Sequence, residues 1–285
     1  MESVEVTGTA PIEGPFRVLD VPFTEIADHG SALDAVFEKR LDILLVRGVF
    51  QPEETAAVVR RLEAGEGAEW RATLSDKFRF YSLGRCLDMV GADRSAYFEE
   101  AVRFRADCEI LFREVSDYET RLTETLRALG GGCTVEVPPG EGGGIYMPST
   151  IRFFPDKGYI PPHCEFEQLE RQGYGHLLPL IDPANIISFY VMLQTPQTGG
   201  EIVIYALQWA DLNRRHVTRE GRTEVAAIIE RWPSVNLRPA EGDLIIFDGG
   251  RLFHRVAPVG GPRKRWTIGG FCSRHRDGTG IVYWS

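Results

Sequence analysis

From residue 133 onward the chain breaks into short apolar segments separated by proline and glycine: TVEVP, STIRFFP, NIISFYVMLQTP, GGEIVIYAL, DLIIFDGG, HRVAPV, RWTIGGF and GIVYW. Segments of this length, rich in β-branched and aromatic residues and bounded by turn formers, read as strands. Too few helix-length crossovers separate them for a parallel sheet, so the pattern predicts a double-sheet jelly roll, a cupin-like double-stranded β-helix. The exception is residues 209–240, where DLNRRHVTREGRTEVAAIIERWP is polar and reads as an insertion carrying one short helix.

The first part of the chain has a different texture. Ser31 followed by Asp34 resembles a capping box opening a short helix, and LDILLVRGVF (41–50) is a compact apolar run best taken as a buried strand. Pro52, Glu53 and Glu54 then start another helix, with the proline and the negative charges a helix N-terminus favours. Over residues 95–129 Phe98, Val102, Cys108, Leu111, Phe112, Val115, Tyr118, Leu122, Leu126 and Leu129 fall along one stripe, which predicts a long helix, broken once, that stops at Gly130. The fold class expected is α+β in a single domain, with residues 1–132 as a helix-rich buttress and 133–285 as the jelly-roll core.

A chain of 285 residues can bury a sizeable core. Its net charge of −9 gives no general reason to bind a polyanionic backbone, so nucleic acid is not an expected partner. Arg251, Arg255, Arg263, Lys264, Arg265, Arg274 and Arg276 nevertheless cluster near the C-terminus, where a small carboxylate or phosphate could bind. No apolar run approaches the length needed to span a bilayer, and MESVEVTGTAP lacks the apolar centre of a signal peptide. Five widely spaced cysteines without a C-x-x-C pair suggest free thiols in a reducing compartment. A cytoplasmic protein acting on a small molecule is expected, with the oligomeric state open.

Within YIPPHCEFEQL, strand alternation would turn His163 and Glu165 to one face and Cys164 to the other. Taken alone, the pair could equally be a polar rim on an edge strand. A second histidine, His254, follows the Gly-Asp turn, apolar strand and Gly-Gly break of GDLIIFDGGRLFH. Two histidines and one carboxylate can occupy one face of an octahedral ferrous ion and leave three positions open. On the next segment Arg265 and Thr267 share a face, where a guanidinium and a hydroxyl could grip the far end of a dicarboxylate whose near end chelates the metal. Arg263 is the alternative anchor, but its same-face neighbour is Arg265 rather than a hydroxyl.

The set His163, Glu165, His254, Arg265 and Thr267 resembles the Fe(II)/2-oxoglutarate-dependent oxygenase superfamily, whose pattern is H-x-D/E, a distant histidine, then Arg-x-Ser/Thr. The resemblance spans roughly residues 145–272. Glutamate stands where aspartate is commoner, and the arginine lies eleven positions after His254, where many members have nine or ten. The resemblance implies Fe(II), 2-oxoglutarate and dioxygen, with 2-oxoglutarate converted to succinate and carbon dioxide as an unactivated C–H bond is oxidised. Halogenases of the superfamily lack the carboxylate ligand because chloride takes its place, so Glu165 points to hydroxylation, or to a related desaturation or ring closure.

Arg152, Asp156, Glu167 and His176 flank the expected ligands and are candidates for holding a polar substrate such as a free amino acid. His29, His216 and His275 lie in polar or loop-like contexts and are set aside as surface or structural residues. Two other readings stay open. A cupin-like metal-binding protein without oxygenase activity would make Arg265 a structural cation, and a protein-side-chain hydroxylase would need a wider opening over the metal.

Overall fold

The computed structural model describes residues 4–6, 14–67, 71–72, 78–212 and 222–285. All eight anticipated segments are strands, and they assemble into a double-stranded β-helix of two facing sheets. The larger, ten-stranded sheet runs in the spatial order Val18–Pro22, Ile43–Arg47, Leu244–Phe247, Ile187–Gln194, Arg265–Arg274, Thr150–Phe154, Tyr81–Leu83 and Arg71–Ala72. Gly280–Trp284 pairs with the far half of Arg265–Arg274 and carries Thr134–Glu136 beyond it. The smaller sheet runs Val4–Val6, Ser234–Leu237, Ile202–Gln208, Leu252–Val256 and Ile160–His163.

The central pairings of both sheets are antiparallel, so side chains alternate between the space separating the sheets and the outer faces. Both sides of Leu244–Phe247 are covered. Ile245 and Phe247 meet Ile202, Ile204, Leu237 and Val256 between the sheets, whereas Leu244 and Ile246 join Val58, Leu62, Phe98, Leu122 and Leu126 of the helices outside. An uninterrupted LIIF run, rather than an alternating one, is what burial on both faces requires.

Several local expectations change. The apolar stripe over 95–129 is broken once, as expected, into Ser95–Leu111 and Tyr118–Leu129, the second capped by Asp117, whose Oδ1 accepts from Thr120 N at 2.7 Å. The helix Ala32–Phe37 does form, but Ser31 makes no side-chain cap, and Asp34 instead accepts from Arg274 Nη2 at 2.6 Å. The reciprocal cap lies at Gln51 and Glu54, where Gln51 N donates to the Glu54 carboxylate at 2.7 Å at the start of Pro52–Glu63. Within 209–240 a helix spans Arg222–Ile229, as expected, but Ser234–Leu237 is a strand of the smaller sheet, pairing antiparallel with Ile202–Gln208. Residues 1–132 supply not only helices but also four strands of the larger sheet, with Ile43–Arg47 paired directly to Leu244–Phe247.

The turn before Leu244–Phe247 requires glycine. Gly242 has φ +90°, and a Cβ there would lie 1.8 Å from the Phe50 carbonyl oxygen, which is backbone and cannot swing away. Gly242→Ala should therefore cost more than about 2 kcal/mol, read as a lowered midpoint in urea denaturation. An unchanged midpoint would show that this junction is not tightly packed.

Candidate metal centre and its two chambers

Ile160–His163 is the edge strand of the smaller sheet, a place where Pro161 and Pro162 cost no ladder hydrogen bond to a further strand. His163 stands directly opposite His254 on Leu252–Val256, and the imidazole centroids are 4.2 Å apart. The strand ends at His163. Cys164 stays extended (φ −139°, ψ 139°), which returns Glu165 to the histidine side as it opens the short turn Glu165–Gln168. Cys164 points the other way, among Val203 and Phe253, with its thiol donating to the Gly250 carbonyl at 2.7 Å. The alternation expected of a strand thus survives although the strand itself does not extend that far.

The three candidate ligands converge. Glu165 Oε1 lies 3.3 Å from His254 Nε2 and 3.8 Å from His163 Nε2, and the ligand atoms all fall within 4.8 Å of one another. His163 Nδ1 is 2.9 Å from the Pro161 carbonyl and His254 Nδ1 is 3.0 Å from the Leu252 carbonyl. A carbonyl can only accept, so Nδ1 of each ring carries a proton, and Nε2 is the nitrogen that each ring turns toward Glu165. This donor set fits a divalent transition metal held by two imidazoles and one carboxylate.

Glu165 is itself held from behind. Ser188 Oγ donates to Oε1 at 3.2 Å, the Gln168 amide donates to Oε2, and Tyr174 Oη donates to Gln168 Oε1 at 2.8 Å. Burial alone would raise the carboxyl's pKa, but the two imidazoles and Arg152 outweigh it and hold Glu165 below the usual carboxylate range. Gln168→Leu should cost about 10- to 100-fold in iron affinity, the usual loss when the group orienting a metal ligand is removed. Metal titration of the purified variant measures it, and wild-type affinity would mean that Glu165 needs no such support.

Two chambers meet at these ligands. The inner one lies between the sheets. Alternation brings Arg265 and Thr267 into it from one strand, Ser188 and Tyr190 from its neighbour on one side, and Arg152 and Phe154 from the neighbour on the other. Arg265 is 2% exposed, and its Nε and Nη2 meet no acceptor among the described residues. Its guanidinium lies 5.0 Å from the Tyr190 ring centroid and 5.3 Å from that of Phe154. Burial pushes the Arg265 pKa down, and the neighbouring Tyr190 phenol only partly opposes this. A buried cation without a carboxylate partner is costly, and an anion entering the chamber would relieve that cost. Arg263, by contrast, is half exposed and paired with Glu241 at 2.7 Å outside the chamber.

The outer chamber shares Arg152, Ile160, His163, Glu165 and Phe271 with the inner one and continues past Asp88, Glu167, Gln168 and Arg171. Of the four expected substrate residues, Arg152 and Glu167 line it. Asp156 and His176 line neither chamber. Asp156 is exposed on a turn, where its carboxylate accepts from Gly261 N at 3.0 Å, and His176 stacks on Tyr146 with Nδ1 3.0 Å from the Tyr146 hydroxyl. His275 bonds to Asp277, and His216 lies outside the described residues. Ser188, Tyr190, Gln168, Asp88 and Arg171 escaped the sequence reading. Ser188 and Tyr190 could have been found as the polar positions alternating within IISFYV, whereas the others sit in turns with no periodic signal.

A double-stranded β-helix with a His-Glu-His cluster and a buried arginine in one chamber defines an Fe(II)/2-oxoglutarate-dependent oxygenase, which uses ferrous iron, 2-oxoglutarate and dioxygen. Residues 15–285 match the sequence model of the carrier-protein-independent halogenase WelO5, and the chain belongs to that family. No curated protein sequence matches it. Among solved structures it is similar to an N-substituted L-amino acid dioxygenase from Burkholderia ambifaria AMMD, with 16% identity over 90% of this chain and 91% of that one and a TM-score of 0.57. It is also similar to the non-heme alpha-ketoglutarate-dependent carbocyclase SnoK from nogalamycin biosynthesis, with 13% identity over 90% and 85% and a TM-score of 0.51. At these identities the likenesses show the fold. No helix among the described residues is long and apolar enough to cross a membrane.

Proposed function

We propose that this chain hydroxylates an unactivated C–H bond of a small polar molecule, with His163, Glu165 and His254 holding Fe(II) and with Arg265 and Thr267 holding the distal carboxylate of 2-oxoglutarate. The observation that carries the reading is Glu165, a buried carboxylate whose Oε1 lies within 4 Å of both imidazole Nε2 atoms. Halogenases of the superfamily leave that position to chloride. Here the carboxylate fills it and is held in place by Ser188 and Gln168, although the matching family model is described as a halogenase.

Bound iron would supply oxidising power by consuming 2-oxoglutarate and dioxygen. The protein's own residues do the positioning. His163 and His254 present their Nε2 atoms because the Pro161 and Leu252 carbonyls fix the Nδ1 protons. Arg265 and Thr267 set the depth and direction of the diacid from the far end of the inner chamber. Phe154, Tyr190 and Phe247 surround that space with ring surface that limits water. Arg152, Asp88 and Glu167 face the outer chamber, where a polar substrate would lie beside the ligands.

The test is product mass. With Fe(II), 2-oxoglutarate, dioxygen and excess chloride, a substrate that stimulates succinate formation should gain one oxygen atom and no chlorine. A chlorinated product would overturn hydroxylation. Absence of 2-oxoglutarate turnover with iron bound would instead favour the cupin-like metal-binding reading.

A further inference from the structure

In the reading just given, a ferrous dication and Arg265 are together neutralised by Glu165 and the 2-oxoglutarate dianion, and Arg152 takes no part in that pairing. Its side chain lines both chambers, beside the ligands, and it makes no ion pair at contact distance among the described residues. Nε is held by Thr150 Oγ1 at 3.0 Å and Nη2 by the Cys86 sulfur at 2.9 Å, while the guanidinium lies 5.7 Å from the Phe80 ring centroid. These contacts fix the plane of the group and leave Nη1 with no described acceptor. An arginine clamped on one edge and unpaired on the other is arranged to receive a carboxylate.

The same chamber carries the opposite sign as well. Asp88 and Glu167 line it with Arg152, and Phe80, Met89, Ile160 and Phe271 supply apolar wall. Arg171, exposed on the Glu167 side of the sequence, makes no ion pair among the described residues.

We infer that the substrate is a small zwitterion of the amino-acid class, its carboxylate taken by Arg152 and its cationic nitrogen turned toward Asp88 and Glu167, with an apolar substituent against Phe80 and Phe271. The inference rests on the oxygenase reading of the same site and adds the substrate class to it. It also disfavours a protein partner, because a residue inside a chain carries no free carboxylate beside its nitrogen.

The probes are free L-amino acids, their N-methyl and N-acyl derivatives, and the C-terminal amides of each. Binding is followed by tryptophan fluorescence, both on metal-free protein and on the anaerobic Fe(II)/2-oxoglutarate form, and turnover by succinate release. At least one free acid should bind and stimulate succinate formation. Its amide should bind about 30-fold or more weakly, the loss expected when one partner of a buried hydrogen-bonded charge pair is removed. In Arg152→Leu acid and amide should bind alike, and Arg152→Lys should restore part of the preference, while the absorption band of the Fe(II)/2-oxoglutarate complex remains in both.

Three outcomes overturn the inference: amides that bind as well as acids, a panel in which no free acid binds, or an Arg152→Leu protein that has lost the 2-oxoglutarate band, which would assign Arg152 to the diacid instead. The oxygenase reading fails separately, through absence of that band in the wild-type protein, and fluorescence on the metal-free form still reports on the chamber in that case.

Discussion

Replacing Arg265 with leucine should leave the ligand-free protein as stable as wild type or more so, while 2-oxoglutarate affinity falls by about 30-fold or more. The two halves have one cause. Arg265 is 2% exposed, stacks against Phe154 and Tyr190, and has two nitrogens without an acceptor among the described residues. Taking its charge out of water is uncompensated in the empty chamber, and replacing buried charge by an apolar side chain of comparable volume is often neutral or stabilising by about 1–4 kcal/mol. In the proposed 2-oxoglutarate complex the same guanidinium would answer a carboxylate, and its removal would strand that anion.

Thermal denaturation with and without 2-oxoglutarate reads both effects. Wild type should gain a large stabilisation from the diacid, following mass action, and Arg265→Leu little. If the variant bound 2-oxoglutarate as tightly as wild type, Arg265 would be a structural cation and the metal-binding alternative would lead. Arg263→Leu is the control, since its guanidinium is engaged with Glu241 outside the chamber; it should keep the 2-oxoglutarate response.

His254→Ala should lower iron occupancy and reduce 2-oxoglutarate turnover by well over about 100-fold, more than the typical loss from removing a group that merely orients a ligand. His254 is central to the cluster: its ring is 4.2 Å from His163, its Nε2 is 3.3 Å from Glu165, and it packs edge-on against Phe247 at 4.8 Å. Because it is buried, alanine also opens a small cavity, costing about 1–3 kcal/mol. Circular dichroism separates misfolding from metal loss, and Glu165→Gln gives a nearly isosteric second variant that removes charge without volume. Full activity in either protein with its fold retained would remove the proposed triad.

Much of this site was legible in the chain. His163 and Glu165 were placed on one face by alternation, and Arg265 and Thr267 on another, because a strand's period of two holds locally regardless of what packs around it. The element types in the core followed from the same local patterning. What failed depended on neighbours. Ser31 makes no side-chain cap and Asp34 is drawn instead to Arg274, 240 residues away in sequence, and Asp156, close to the ligands in sequence, is turned outward to Gly261. The apolar stripe over 95–129 announced one break in the helix but not its place, residues 112–117.

By itself, then, the sequence determined the residue types of the site, the strands that carry them, and the face each side chain takes on its own strand, since all three are set by local backbone geometry. Only the tertiary structure decided that His163 faces His254 across a strand pair, that Arg265 rather than Arg263 is sealed in with no carboxylate partner among the described residues, and that Arg152 stands in the wall between two chambers. Those facts depend on cross-strand register and on the exclusion of water between sheets, and residues far apart in the chain settle both together.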